Sequence, residues 1–175
     1  MHDEPVLTWA GAARAHLGAS RVLTHECAMT HQVRALALAS VFVRTSLAAG
    51  FLSAVADRFG LWGAAGSPSV AWGGFGAYLA YTGQLLWFLP SGAIVAAGWA
   101  ATALEIVLAI GLLVGVRLRE FAFASGMLLT LFAITMTLAL GTEPALSYSV
   151  WAAAAGAFLL SAIQPPHEMP PTSDR

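Results

Sequence analysis

Two apolar stretches, each long enough to cross a bilayer and each carrying one internal charge, constrain this fold most. Arg44 lies within residues 35–56, and Glu105 lies within residues 94–116. A lone charge near the middle of a bilayer costs at least about 2.5–3.5 kcal/mol. Opposite charges on neighbouring helices offset most of this cost when they meet. The sequence therefore predicts a membrane helix bundle that contains an Arg44–Glu105 ion pair.

The arginines that flank these stretches predict the depth of each charge. At about 1.5 Å per residue, Arg44 lies about 15 Å beyond Arg34. On the same scale, Glu105 lies about 18 Å before Arg117. If Arg34 and Arg117 mark one bilayer boundary, the two charges lie at nearly equal depth and meet. The pair is either a structural lock between helices or a site that also binds an anion, a quinone carbonyl or a proton.

The composition places the chain in a lipid bilayer. Of its 175 residues, 58% are hydrophobic and 10% are charged. Soluble domains are about 25% charged, so this chain has too little charge to cover a water-soluble globule. The net charge of −1 provides no basic surface for a nucleic-acid partner. An integral membrane protein is predicted.

The positions of cysteine and histidine exclude several kinds of redox chemistry. Cys27 is the single cysteine, so an internal disulfide or a thiol relay is excluded. No histidine lies between residues 32 and 166, so no span carries one for haem or metal. We therefore predict no metal site and no intrinsic cofactor, and assign no catalytic residue. Electron chemistry would need a partner protein or a lipid-soluble carrier such as quinone.

Hydropathy and turn residues predict four spans, at residues 33–56, 91–116, 121–140 and 146–163. Residues 70–89 are also apolar, but their tryptophans, tyrosines and phenylalanines are typical of the membrane–water interface. The predicted fold is an all-α integral membrane four-helix bundle. An aromatic-rich interfacial or capping helical segment lies between its first and second spans.

The distribution of arginine predicts the orientation. With four spans, Arg58 is the one arginine outside, and the other side holds six. Those six are Arg14, Arg21, Arg34, Arg117, Arg119 and Arg175. By the positive-inside rule both termini are cytoplasmic. Residues 1–32 are predicted to be a flexible cytoplasmic tail, residues 33–164 the membrane domain, and residues 165–175 a second cytoplasmic tail.

Other polar residues and glycines predict local roles. Asp57 and Arg58, with the aromatic residues Trp72 and Tyr81, are candidate residues at the outer mouth of the bundle, where they either order the loop or line an entry site. Gly111 and Gly115 form a G-x-x-x-G pattern, which is typical of helix contacts. The threonines of the third span are expected to bond their own backbone or a neighbouring helix. They are Thr130, Thr135 and Thr137.

Residues 34–161 resemble the DoxX family. The resemblance rests on Arg44, residues 50–63, residues 70–73, Tyr81, Thr82, Leu89, Pro90, Glu105, Gly115, Arg117, Arg119 and residues 148–150. The family includes DoxD-like subunits of thiosulfate:quinone oxidoreductase, with a four-span bundle. The resemblance implies a multi-pass protein of the bacterial inner membrane and, more distantly, quinone-linked redox chemistry.

Three functional hypotheses follow. The first is an accessory or anchoring subunit of a quinone-linked oxidoreductase, itself without a self-contained catalytic set. Arg44 and Glu105 would then be polar ligands of quinone between the first and second spans, beside a soluble or membrane redox partner. The second is a non-enzymatic bundle that assists the assembly or carriage of a partner protein, with the ion pair as a lock. The third is a small-solute transporter, which would need a homo-oligomer to form a path.

Overall fold

The computed structural model describes the backbone of residues 7–164 and the side chains of residues 31–164. In this part of the chain every regular element is a helix. The helices are α1 (Leu7–Arg58), α2 (Phe75–Leu85), α3 (Ser91–Val114), α4 (Leu118–Leu140), α5 (Thr142–Ser147) and α6 (Val150–Ile163). The predicted all-α class is confirmed for the described residues.

The chain divides into two units, residues 1–41 and residues 42–175. The described part of the first unit, residues 7–41, is helical, although a flexible tail was expected over residues 1–32. Alanine-rich sequence without proline suits a helix there, since alanine has the highest helix propensity. Flexibility of this segment stays a prediction, and the tail predicted at residues 165–175 lies outside the described residues. The candidate site lies entirely in the second unit.

Three helices are long and apolar enough to cross a membrane: His31–Arg58, Ser91–Val114 and Leu118–Leu140. They agree with three of the predicted spans, so the chain is a helical protein suited to a lipid bilayer. The fourth predicted span is divided, because Ser149 has a left-handed φ of 56° between α5 and α6. At 14 residues, α6 rises about 21 Å, less than the ~30 Å hydrocarbon layer. A fourth crossing stays a prediction.

The segment between the first two long helices forms a compact loop followed by a short helix. The 11 residues of α2 rise about 16 Å, too little to cross a bilayer alone. As expected, residues 70–89 therefore do not form a span of their own. The loop closes on itself at Gly73, where φ is +61° and a Cβ atom would lie 2.2 Å from the amide nitrogen of Ala65. Only glycine fits this position.

Helices α1, α3, α4 and α6 contribute to one apolar core. Its buried members are Ala48, Phe51, Leu108, Ala109, Leu112, Ala122, Leu128 and Leu160. Glycines allow close approach: Gly111 lies against the ring of Phe121, and Gly126 lies against the ring of Phe158. The predicted contact role of Gly111 is confirmed. Small residues at such contacts are what helices use to pack in lipid, where no hydrophobic effect drives them together.

The threonines of α4 bond their own helix, as predicted. Thr130 donates to the carbonyl oxygen of Gly126 at 2.7 Å, and Thr137 donates to that of Ala133 at 2.6 Å. Thr135 donates to the carbonyl oxygen of Leu131 at 3.0 Å. These hydroxyl groups are therefore satisfied within α4.

Candidate functional site

A buried ion pair joins the end of α1 to the middle of α3. Nη2 of Arg58 lies 2.7 Å from Oε1 of Glu105, and the two side chains are 3% and 1% exposed. Nη1 of Arg58 donates to the hydroxyl oxygen of Thr102 at 2.8 Å. That hydroxyl donates in turn to the carbonyl oxygen of Gly98, also at 2.8 Å. Thr102 and Glu105 are three residues apart, so they share one face of α3 and together hold the guanidinium.

The predicted partner of Glu105 was wrong: the carboxylate binds Arg58 and not Arg44. Arg44 instead lies beside Gly115, where a Cβ atom would be 2.6 Å from its Nη1. Gly115 follows Glu105 by ten residues, about 15 Å along the helix axis. The prediction had the wrong register of α1 along α3. It placed Arg44 at the level of Glu105, whereas Arg44 lies near the end of α3.

Aromatic rings cover the other side of the Arg58 guanidinium. Its Cζ lies 4.0 Å from the ring centroid of Tyr78 and 5.5 Å from that of Trp72. Cations are attracted to such ring faces, more strongly where water is excluded. Tyr78 is buried on α2, and the Trp72 and Tyr78 rings meet edge to face at 5.2 Å. The loop and α2 thus complete the enclosure of a charge that α1 and α3 supply.

Asp57 connects this enclosure to the loop. Its side chain is 5% exposed, and its Oδ2 accepts a hydrogen bond from the backbone N–H of Trp72 at 2.8 Å. This bond holds the loop against the end of α1, in agreement with the predicted loop-ordering role. Three of the four predicted mouth residues, Asp57, Arg58 and Trp72, therefore lie together around the ion pair.

Tyr81, the fourth predicted mouth residue, lies at the edge of the cluster. Its ring centroid is 5.9 Å from that of Trp72, and it is half-buried. Burial raises the pKa of Tyr81 above its ordinary value, and the nearby Tyr148 raises this pKa further. Tyr81 therefore stays a neutral phenol well above physiological pH.

Three polar atoms of the cluster are buried and unused. Oδ1 of Asp57, Nε of Arg58 and Oε2 of Glu105 form no hydrogen bond with any residue of the described chain. Buried polar atoms nearly always have a partner, so each of these needs an explanation. One is a donor and two are acceptors. A polar ligand with both acceptor and donor capacity matches this set.

Sequence reasoning missed two members of the site. Thr102 lies on the same helix face as Glu105, three residues before it, and this spacing could have identified it. Tyr78 could not be found in this way, because its contact depends on how α2 folds back toward α1. Among the residues that the structure describes, no three His, Cys, Asp or Glu side chains lie close enough to hold a metal ion.

Comparison with known proteins adds no relative: no family model matches the chain, and no curated protein or solved structure matches it.

Proposed function

We propose that this chain is a DoxX-like protein of the bacterial inner membrane that serves as an accessory or anchoring subunit of a quinone-linked redox system. The observation that carries the proposal is the buried cluster of Asp57, Arg58 and Glu105, with its one unused donor and two unused acceptors. Burying unsatisfied charges is costly, so a ligand that satisfies them would stabilise the bundle.

A quinone head group has the chemistry that this cluster requires. Its carbonyl oxygen accepts a hydrogen bond, for which Nε of Arg58 is available. In the reduced quinol, the hydroxyl groups donate, for which Oε2 of Glu105 and Oδ1 of Asp57 are available. The rings of Trp72 and Tyr78 provide aromatic surface beside a planar head group. The proposed ligands are thus Arg58 and Glu105, with Asp57 as a further acceptor for the quinol, and Arg44 is removed from the set.

The proposed role is binding and anchoring, with electron transfer assigned to a partner. The sequence places its one cysteine at position 27 and no histidine between residues 32 and 166. Three long apolar helices provide the anchor. The redox partner, soluble or in the membrane, would therefore exchange electrons with quinone held at the Arg58–Glu105 pair.

Quinone content tests this proposal directly. The full chain is expressed in a bacterial membrane, purified in mild detergent and extracted, and the bound quinone is quantified by chromatography. We expect roughly one quinone per site in the native chain and a loss of about tenfold or more in affinity in Glu105→Gln, because hydrogen bonds to charged groups are worth about 1.5–3 kcal/mol. Glu143→Gln removes an exposed carboxylate outside the cluster and should retain quinone. A native chain without quinone, or a Glu105→Gln chain that binds it equally well, would refute the proposal.

A second candidate function, a non-enzymatic bundle that assists a partner protein, is favoured by one observation. The Arg58–Glu105 pair ties α1 to α3, which is what a structural lock requires. Reversing both charges, Arg58→Glu with Glu105→Arg, separates the two functions. Restored folding without quinone binding favours the quinone site, because the lock is regained and the donor–acceptor arrangement is not. Restored folding together with native quinone binding favours the structural lock, because the binding then does not depend on the original arrangement of the pair.

The proposed topology, four spans with both termini in the cytoplasm, has its own test. It rests on the arginine distribution and on a fourth crossing by residues 146–163. Alkaline phosphatase is active only outside the cytoplasm. Fused after residue 66 it should be active, and fused after residue 117 or residue 164 it should be inactive. Activity at residue 164 would show that the chain crosses three times.

A further inference from the structure

Among the residues whose side chains the structure describes, Arg44 is a cation without a neutralising carboxylate. It is the one charged residue within the apolar residues 35–56, and its side chain is half-buried. Its Nε is buried and forms no hydrogen bond within the described chain. The ion pairs found among the described residues are Arg58–Glu105 and Arg117–Glu120, so no carboxylate there neutralises Arg44. An uncompensated charge in an apolar setting is costly, so an anion from outside the chain would stabilise it.

Gly115 leaves room for the Arg44 guanidinium. A Cβ atom at this position would lie 2.6 Å from Nη1, so any other residue would displace the arginine. Gly115 also ends α3 in the left-handed conformation, with φ of +77°, and its N–H donates to the carbonyl oxygen of Gly111 at 3.0 Å. The end of α3 and the position of Arg44 therefore depend on the same glycine.

Further positive charge follows within a few residues. Arg117 is two residues beyond Gly115, so its Cα is at most about 7 Å from that of Gly115. Its Nε lies 3.7 Å from Oε1 of Glu120, and both side chains are exposed, at 61% and 46%. Such an exposed pair contributes little, so Arg117 is available to an anion. Arg44, Arg117, Arg119 and Glu120 together carry +3 and −1, a net charge of +2.

We propose that Arg44 and Arg117 bind a phosphate group, carried either by an anionic membrane lipid or by free phosphate. The planar guanidinium donates paired hydrogen bonds to phosphate oxygens, and Nε of Arg44 is one of the unused donors. Arg44 lies within the long helix His31–Arg58, and its guanidinium lies beside Gly115, where α3 ends shortly before α4 begins. The end of a membrane-compatible helix is expected near the lipid headgroups. Gly115 lies about 15 Å along α3 from Glu105, so this site is separate from the proposed quinone site.

Native mass spectrometry of the full chain in mild detergent tests the proposal. Three probes are compared: phosphatidylglycerol, phosphatidylcholine with the same acyl chains, and inorganic phosphate. We expect phosphatidylglycerol or inorganic phosphate to bind the native chain about tenfold or more tightly than the Arg44→Gln variant. Binding of the lipid but not of inorganic phosphate assigns the ligand to the membrane, and the reverse assigns it to solution. Binding of neither, or equal binding by Arg44→Gln, overturns the proposal.

Two variants separate a binding role from damage to the fold. Arg44→Lys keeps the positive charge but loses the planar fork, so its affinity should lie between those of the native chain and Arg44→Gln. If Arg44→Gln does not fold, the lysine variant carries the test, and native-like binding by it would refute the role of the guanidinium. Glu120→Gln removes the competitor for Arg117 and should tighten binding. Weaker binding by Glu120→Gln would contradict the proposal. Quinone content should be unchanged in Arg44→Gln, which keeps this test independent of the proposed function.

Discussion

Neutralising Glu105 is expected to destabilise the fold by about 3–5 kcal/mol, which is the usual cost of removing one partner from a buried ion pair. This cost is not reduced by solvent screening, because the Arg58 and Glu105 side chains are 3% and 1% exposed. Glu105→Gln keeps the size of the side chain and an oxygen that accepts from Nη2 of Arg58. What it removes is the negative charge that pairs with the buried guanidinium of Arg58.

The size of the stability loss in Glu105→Gln shows whether a charge or only a hydrogen bond has been lost. Interhelical hydrogen bonds in membrane proteins are worth about 0.6 kcal/mol on average and about 1.7 kcal/mol at most. The bond from Arg58 to Thr102 and the contact with the Tyr78 ring remain in Glu105→Gln. A loss above about 3 kcal/mol therefore reports the uncompensated charge of Arg58, since hydrogen bonding alone supplies too little.

Unfolding in mixed micelles of mild detergent and dodecyl sulfate, followed by circular dichroism, measures these differences. Arg58→Met should cost about as much as Glu105→Gln. The double variant Arg58→Met with Glu105→Met should cost less than the sum of its single variants, by a coupling of about 2–3 kcal/mol, since neither charge is then left alone. Glu143→Gln, at an exposed carboxylate, should stay within about 0.5 kcal/mol.

Two results would refute this account of the ion pair. One is a loss below about 1 kcal/mol in Glu105→Gln, which would mean that the carboxylate does not neutralise a buried guanidinium. The other is a strong coupling of Glu105 with Arg44 and none with Arg58. That outcome would restore the partner expected from the sequence and would contradict the register in which Arg44 lies beside Gly115.

Further predictions concern packing and ionisation. Gly111→Ala should destabilise by about 1–3 kcal/mol in the same micelle assay, because its Cβ would lie 2.1 Å from the ring of Phe121. Gly92→Ala meets nothing within 4 Å and should stabilise by about 0.4–1 kcal/mol. An ultraviolet titration should find the pKa of Tyr81 above its ordinary value, and Tyr148→Phe should lower it. The neutral phenol is favoured in the fold, so its contribution to stability is present at neutral pH and is lost as pH rises through this raised pKa.

The length of apolar stretches was sufficient to predict the long helices. Helices α3 (Ser91–Val114) and α4 (Leu118–Leu140) lie within a few residues of the predicted spans, because about 20 apolar residues between glycine, proline and charged turns have few alternatives. The division at Ser149 was not predicted. Ser147 and Ser149 precede the alanine run at residues 152–155, but a serine does not by itself require the left-handed φ of 56° that divides α5 from α6.

The members of the site were largely predictable, but their pairing was not. Asp57, Arg58 and Glu105 are conspicuous as charges at or inside apolar segments. Which cation meets Glu105 depends on how far α1 is shifted along α3, and a sequence gives the length of each helix without this shift. The contact of Tyr78 with Arg58 depends in addition on the course of the loop, which glycines with positive φ determine.

The energetics of two arginines and one carboxylate explain why this register is the favourable one. Arg58 and Arg44 are fourteen residues apart, about 21 Å along α1, so Glu105 can reach only one of them. If it paired with Arg44, Arg58 would be enclosed by Tyr78 and the loop without the carboxylate that now binds it, which is costly for a buried ion. Pairing with Arg58 instead leaves unpaired the cation that is only half-buried, beside Gly115 at the end of α3. The fold thus pairs Glu105 with the more deeply buried of the two arginines.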